Sequence, residues 1–181
     1  MINDYEGNKP MADDAFGSSA TKLTNDEVIS TLNGLIETCK DGQQGFSTAA
    51  EGVERSDIKS LFYEFSQQRS QFAGELQTLV QTLGGDPENT GTIAASLHRG
   101  WINIKSVVTG KDEGSILIEC ERGEDMAKKA YKDALDQTLP AHVMDTLHTQ
   151  FTSVKAAHDR VRDLRDAFAG KDKANPASTT N

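Results

Sequence analysis

Apolar side chains recur along this chain at steps of three and four residues, which places them on one face of an α-helix. Four long stretches follow this pattern and predict helices at about residues 25–54, 56–83, 112–137 and 140–169. A shorter stretch from Ile93 to Val108 predicts a short helix between the second and third long ones. No stretch alternates with the period of two that a strand requires. The pattern therefore predicts an all-α fold.

Several residues at the predicted helix ends are those that commonly start or stop a helix. Thr24 followed by Glu27 is typical of a capping box, in which each residue bonds the other's backbone N–H. Ser56 and Asp57 offer an N-cap for the second helix. The run Gly84-Gly85-Asp86-Pro87 is expected to end that helix.

The lengths of the connections indicate how the helices are arranged. The first and second long helices, and likewise the third and fourth, are joined by a few residues, so each pair should be antiparallel. The short helix between the pairs, at about 16 residues, would rise about 24 Å and carry the chain back along the bundle. The third helix would then run parallel to the second, as in ferritin-like four-helix bundles. An up-down-up-down bundle with the short helix as a lid is the alternative.

The excess of acidic residues limits the kinds of molecule that this protein is expected to bind. The 181 residues include 19 Lys and Arg against 28 Asp and Glu, a net charge of −9. Such a balance argues against nucleic acid or an anionic membrane as the partner, and leaves a homo-oligomer or another protein. No apolar run approaches the roughly 18 residues of a membrane span. The acidic, polar start does not resemble a secretory signal, so we expect a cytoplasmic protein.

The same periodic pattern divides the chain into a bundle and two tails. Residues 23–169 carry the helical periodicity and are expected to form one ferritin-like domain. Residues 1–22 and 170–181 are polar and lack it, so we expect flexible tails there.

Several local motifs in this sequence are shared with a known family. They are Leu35-Ile36-Glu37, Asp41-Gly42, Gly45-Phe46, Gln68-Arg69-Ser70-Gln71-Phe72, His98-Arg99-Gly100-Trp101, Glu119-Cys120-Glu121-Arg122-Gly123-Glu124-Asp125 and Ala157-His158-Asp159. Together they resemble a bacterial family of ferritin-like four-helix bundles of unknown function, often found among stress-associated genes. The resemblance implies the fold, a cytoplasmic bacterial setting and a link to stress. It supplies no activity.

Ferritin-like proteins that bind two metal ions use one Glu from each of two helices and Glu-x-x-His from each of the other two. This sequence departs from that set. The second helix contains no histidine, and Lys155 stands three residues before His158 where a glutamate is required. The spacing of the helices instead predicts three polar layers inside the bundle. These layers hold Glu37, Glu75 and Tyr131; Gln43, Gln68 or Arg69, and Glu124; and Glu64, Glu121 and His158.

The third layer combines carboxylates with a histidine. Glu64, Glu121 and His158 are therefore the first candidate ligands for iron or manganese, and Glu37 and Glu124 are further candidates. The outermost layers would lie roughly 15 Å apart. Paired catalytic metals lie about 3.5–4 Å apart, so these candidates predict at most a partial or mononuclear site.

The alternative is that the inward polar groups neutralise one another. Arg69 would pair with Glu64, Glu121 or Glu124, and such pairs fix the register of helices. No catalytic residue is assigned by the sequence, since neither a nucleophile elbow nor a phosphate-binding loop is present. We therefore expect a structural or protein-interaction protein with a degenerate metal site. A non-canonical metal-binding protein or oxidoreductase is the alternative.

Two other features have competing explanations. Trp101, close to Arg99, is either part of a recognition element or the residue that packs the crossover onto the bundle, and we favour packing. Cys39 and Cys120 lie within apolar faces, at depths that differ by roughly 12 Å. A disulfide cannot span that distance, so both should be free thiols.

Overall fold

The computed structural model describes residues 23–87, 101, 103–110 and 112–174, with side chains as far as residue 170. This part of the chain consists of helices and connections, without a strand, which confirms the all-α fold. The helices are α1 (Asn25–Gly52), α2 (Ser56–Thr82), α3 (Ile104–Gly110), α4 (Glu113–Leu135) and α5 (Ala141–Ala174). The last helix thus continues past its predicted end near residue 169.

The start of α1 matches the prediction and the start of α2 does not. At α1, the Glu27 N–H donates to Thr24 Oγ1 at 3.3 Å and the Thr24 N–H donates to Glu27 Oε2 at 2.7 Å, which completes the capping box. At α2, Ser56 is already helical, and the N-cap residue is Arg55, which makes no capping hydrogen bond with its side chain. Arg55 instead forms an ion pair with Asp57 at 2.6 Å.

The predicted stop after α2 is confirmed. Gly84 adopts a φ of +80°, a left-handed conformation that glycine tolerates better than other residues. Its N–H donates to the carbonyl of Gln81, and the Gly85 N–H donates to the carbonyl of Val80, both at 2.9 Å. These two bonds form a Schellman motif, which satisfies carbonyls that the helix end would otherwise leave open.

Contacts along α1 establish the direction of α4. Near the start of α1, the Thr31 hydroxyl donates to Gln137 just beyond the end of α4, at 3.0 Å. Near the end of α1, a Cβ at Gly52 would lie 2.9 Å from Ile116, close to the start of α4. These two helices are therefore antiparallel. Because α1 is also antiparallel to α2, α2 and α4 run parallel, which confirms the ferritin-like crossover and excludes the up-down-up-down alternative.

Among the described residues, the apolar interior forms two clusters separated along the bundle. One contains residues from the first half of α1, the second halves of α2 and α4, and the first half of α5. The other contains residues from the opposite ends of these helices, together with Ile104 of α3. The segments between the clusters contribute buried polar residues instead, namely Arg69, Glu124 and His158. A polar layer therefore crosses the middle of the bundle.

The crossover is attached to this middle region through Trp101. A Cβ at Gly45 of α1 would lie 2.2 Å from the indole, and a Cβ at Gly123 of α4 would lie 2.3 Å from it. The ring also meets Phe46 edge-on, with 5.1 Å between centroids. Trp101 thus packs between α1 and α4, in a notch that two glycines provide. The predicted start of the short helix, with His98 and Arg99, lies outside the described residues.

Candidate functional site

The middle of the bundle is occupied by a buried ion pair. Arg69 is the central residue of α2 and Glu124 is the central residue of α4. The Arg69 Nη2 donates to Glu124 Oε2 at 2.6 Å, and the two side chains are 1% and 0% exposed. This pair links the two parallel helices at mid-height, as one of the pairings considered for Arg69 predicts.

The surroundings of Arg69 accommodate an arginine in particular. A Cβ at Gly42 of α1 would lie 3.3 Å from the Arg69 Cγ, so the glycine leaves room for the aliphatic stem. The Arg69 Nη1 donates to Gln68 Oε1 at 2.9 Å. The guanidinium carbon lies 5.6 Å from the centroid of the Phe72 ring, within the range of a cation–π contact. The aliphatic stem, the terminal guanidinium nitrogens and the planar face of the Arg69 side chain are therefore each matched by a neighbouring residue.

Burial dominates the electrostatics of Glu124. Loss of solvent raises the pKa of its carboxyl group, although Arg69, His158 and Lys128 each act to lower it. Among the described residues, neither Glu124 Oε1 nor Arg69 Nε has a hydrogen-bond partner. The pair is therefore held by a single short hydrogen bond rather than by a two-bond fork.

His158 lies in the same layer, at the centre of α5. Its Nε2 is 2.9 Å from Asp125 Oδ1 and its Nδ1 is 3.2 Å from Asp159 Oδ1. The Lys128 Nζ lies 3.3 Å from both ring nitrogens. Each imidazole nitrogen thus has a carboxylate neighbour, and an ammonium group lies against the ring.

A second polar group lies nearer the α4–α5 connection. The Tyr131 hydroxyl donates to Gln150 Oε1 at 2.8 Å and lies 3.2 Å from Cys39 Sγ. The Gln150 Nε2 donates to Glu75 Oε2 at 2.7 Å. Burial raises the pKa of Cys39 to about 11 and that of Tyr131 well above its usual range, so both are neutral at pH 7. This chain of hydrogen bonds joins all four long helices.

Comparison with known proteins places this architecture in a family. The model of the domain of unknown function DUF2383 matches residues 27–137, well over half of the chain. The chain belongs to the DUF2383 family. The match spans α1 to α4, and α5 lies beyond it. No curated protein matches.

Solved structures confirm the fold of this DUF2383 member. It is similar to a two-domain protein from Anabaena variabilis that contains DJ-1/ThiJ/PfpI-like and ferritin-like domains, with a TM-score of 0.66 and 15% sequence identity. The alignment covers 81% of this chain and 41% of that protein. The likeness supports the ferritin-like fold and, at this identity, nothing about activity. In the described ranges, no helix has both the length and the apolar character that a membrane span requires.

The structure disperses most of the predicted site residues. Glu64 is exposed and lines a cleft between α2 and α5 that also contains Arg160. Glu121 pairs with Arg165, which sequence reasoning did not single out. Glu37 forms an ion pair with Lys40 at 3.3 Å. The three-residue layer of Glu64, Glu121 and His158 is thus not assembled.

The prediction of depth for His158 was wrong by one to two helical turns. It placed this residue level with Glu121, whereas the structure places it beside Asp125 and Lys128, nearer the α4–α5 connection. Arg165, whose side chain reaches back along α5, takes the position at Glu121 instead. His158 and Glu124 therefore belong to the same middle layer, where His158 acts against burial to lower the pKa of the Glu124 carboxyl group.

The central donor set does not fit a ferritin-like pair of metal ions. Such a centre needs several carboxylates and imidazoles converging on one position. Here Glu124 faces a guanidinium, and His158 lies against an ammonium group. Within the part of the chain that the structure describes, no three His, Cys, Asp or Glu side chains are grouped so as to hold a metal ion.

Proposed function

We propose that this DUF2383 bundle is a structural or protein-interaction protein of the bacterial cytoplasm, associated with stress. One observation supports it above the others: the central residues of α2 and α4 form an ion pair with each other. The charges of these two residues join α2 to α4. In a ferritin-like enzyme, carboxylates at such positions would instead bind metal ions.

The second polar group supports the same conclusion. Tyr131, Gln150 and Glu75 bond one another, and the buried Cys39 thiol is too weakly acidic to act as a nucleophile at neutral pH. These interior groups therefore stabilise the arrangement of the helices. Contacts that carry a function are then made by the outer faces, with another copy of the chain or with a different protein.

The experiment with the most direct bearing is metal analysis of the purified full chain. Cells are grown with added iron or manganese, and metal content is measured by mass spectrometry beside His158→Ala and Glu121→Ala. His148→Ala, at an exposed position on α5, is the control. We expect far less than one ion per chain in every sample. Stoichiometric iron or manganese in the wild type would favour the metal-binding alternative and overturn the proposal. Its loss in His158→Ala or Glu121→Ala, but not in His148→Ala, would place the ion at the predicted ligands.

Association is tested separately. Light scattering after gel filtration, with cross-linking in cells, should reveal a defined homo-oligomer or a stoichiometric protein partner. A chain that stays monomeric at every concentration and is cross-linked to nothing in cells would contradict an interaction role.

The link to stress rests on the family resemblance. Abundance of the protein should rise when the cells that carry it are stressed, and deletion of its gene should lower survival under that stress. Unchanged abundance and survival across osmotic, oxidative and starvation stress would remove this part of the proposal.

A further inference from the structure

The fold and the chemistry of its centre disagree, since ferritin-like proteins that bind two metal ions hold them inside the bundle and this one holds a guanidinium there. We infer that Arg69 occupies the cation position of the bundle, so that a side chain of the protein replaces a metal ion. This inference rests on the proposed function and gives it a structural cause.

The first step is position. Arg69 and Glu124 are at the midpoints of their helices, and His158 is at the midpoint of α5. The two apolar clusters end above and below this level. In four-helix bundles that bind metal, ligands project inward from facing helices into such an interior layer. Arg69 projects into that layer from α2 and meets the carboxylate from α4.

The second step is that the site is built for this cation. Gly42 leaves space for the stem, Gln68 accepts from one guanidinium nitrogen and Glu124 accepts from another. Phe72 lies under the planar group. The glycine of α1 thus gives the arginine stem room that a Cβ at position 42 would narrow.

The third step is charge. Glu124 already has Arg69 within hydrogen-bond distance and is further influenced by Lys128 and His158. A divalent ion beside Glu124 would therefore lie close to the Arg69 guanidinium and the Lys128 ammonium group and be repelled by them. Its binding would require Arg69 to leave. The guanidinium thus both neutralises the buried carboxylate and excludes metal from it.

The test inverts the charge of the proposed internal cation. In Arg69→Glu, two carboxylates face each other where the guanidinium was, and a divalent ion should take its place. We expect this variant to melt below the wild type in EDTA and to gain about 5–10 °C on adding excess Mn²⁺ or Zn²⁺. The wild-type chain should not respond.

Arg69→Glu combined with Glu124→Gln is the matched control, because it keeps the new carboxylate and removes its partner. We expect it to lose most of the response to Mn²⁺. If Arg69→Glu does not fold on expression, it is refolded from denaturant with and without Mn²⁺. Recovery of the helical circular dichroism signal with Mn²⁺ alone supports the inference, and recovery in neither case overturns it.

The outcomes separate the two proposals. This inference is overturned if Arg69→Glu folds and its melting temperature does not change with Mn²⁺ or Zn²⁺. If the wild type is also free of metal, the proposed function is unaffected by that result. Stoichiometric metal in the wild type overturns the proposed function itself. An equal response in Arg69→Glu and the double variant would show that the ions bind elsewhere, which also contradicts the inference.

Discussion

The Arg69 guanidinium and the Glu124 carboxylate meet at 2.6 Å between the midpoints of two parallel helices, and almost no solvent reaches either group. Parallel helices in this fold are joined by a crossover rather than by a short turn, so their relative height is not fixed by a tight connection. A buried charge pair between them can fix it, because any shift along the axis would leave both charges without a partner.

Removing one member of this pair should cost far more than removing both. Arg69→Met leaves Glu124 buried without its partner, and we expect a loss of about 3–5 kcal/mol in the free energy of unfolding. Arg69→Met with Glu124→Leu removes both charges, and we expect stability within about 1–2 kcal/mol of the wild type, or above it. Urea titrations of the three proteins measure these differences. Equal losses in the single and double variants would mean that the two charges do not depend on each other.

Stability should also depend on pH through Glu124. Burial raises its pKa in the folded state above the ordinary value near 4.5 that applies when the chain is unfolded. The folded state therefore binds the Glu124 proton more tightly than the unfolded state does. The stability gained from this proton is fully present below the pKa of Glu124 in the unfolded chain, and it is lost as pH rises through the higher pKa of the folded state. The slope within that window is at most about 1.4 kcal/mol per pH unit.

Comparison with Glu124→Gln isolates this effect, since other carboxyl groups titrate in both proteins. Melting temperatures of the two proteins are measured between pH 4 and 8. The wild type should lose stability relative to Glu124→Gln as pH rises through this window. A difference that does not change with pH, or that changes in the opposite direction, would contradict a raised pKa.

The architecture was predictable because it depends on patterns that extend over many residues of the sequence. Helical periodicity extends over whole helices, and the short and long connections determine which helices are antiparallel. The same reasoning placed Glu124 in one layer with Gln68 or Arg69, since the offset between the two helices follows from the crossover. The prediction left open which of three glutamates would form the ion pair with Arg69.

The contacts of α5 were less predictable, and the reasons are local. The level of His158 depends on how residues 136–140 join α4 to α5, and an irregular connection has no fixed rise. Arg165 reaches Glu121 through a long side chain that spans part of a turn. Gln150 did have a signal, since it lies between Leu147 and Val154 on the apolar face of its helix. A polar residue at such a position is expected to have a buried partner.

The glycine notch around Trp101 gives a prediction with a spectroscopic readout. Gly123→Ala would place a Cβ 2.3 Å from the indole, so the ring or α4 must move. We expect a loss of about 1–3 kcal/mol and a shift of tryptophan fluorescence to longer wavelength as the ring leaves the notch. Trp101 is the only tryptophan of the chain, so the emission reports on this site alone.

Gly74→Ala is the control for this substitution. Gly74 also lies in a helix, but nothing stands within 4 Å of the Cβ that alanine would add. We expect unchanged emission and a gain of about 0.5–1 kcal/mol, because alanine loses less backbone entropy than glycine in a helix. If Gly123→Ala behaved like Gly74→Ala, the tight contact with Trp101 would not exist in solution.

The Tyr131 hydroxyl links Cys39 of α1 to Gln150 of α5, and its removal should weaken the bundle measurably. Tyr131→Phe deletes one buried oxygen and leaves Gln150 Oε1 without that donor, at an expected cost of about 1–3 kcal/mol. Tyr63→Phe makes the same change at a side chain that is 42% exposed, and should stay within about 0.5 kcal/mol of the wild type. Urea titration of both variants separates the cost of breaking the buried hydrogen bonds from the cost of removing any tyrosine hydroxyl. Similar small effects in both would mean that water replaces Tyr131 as the partner of Gln150, and that the hydrogen-bonded chain contributes little to holding the four helices together.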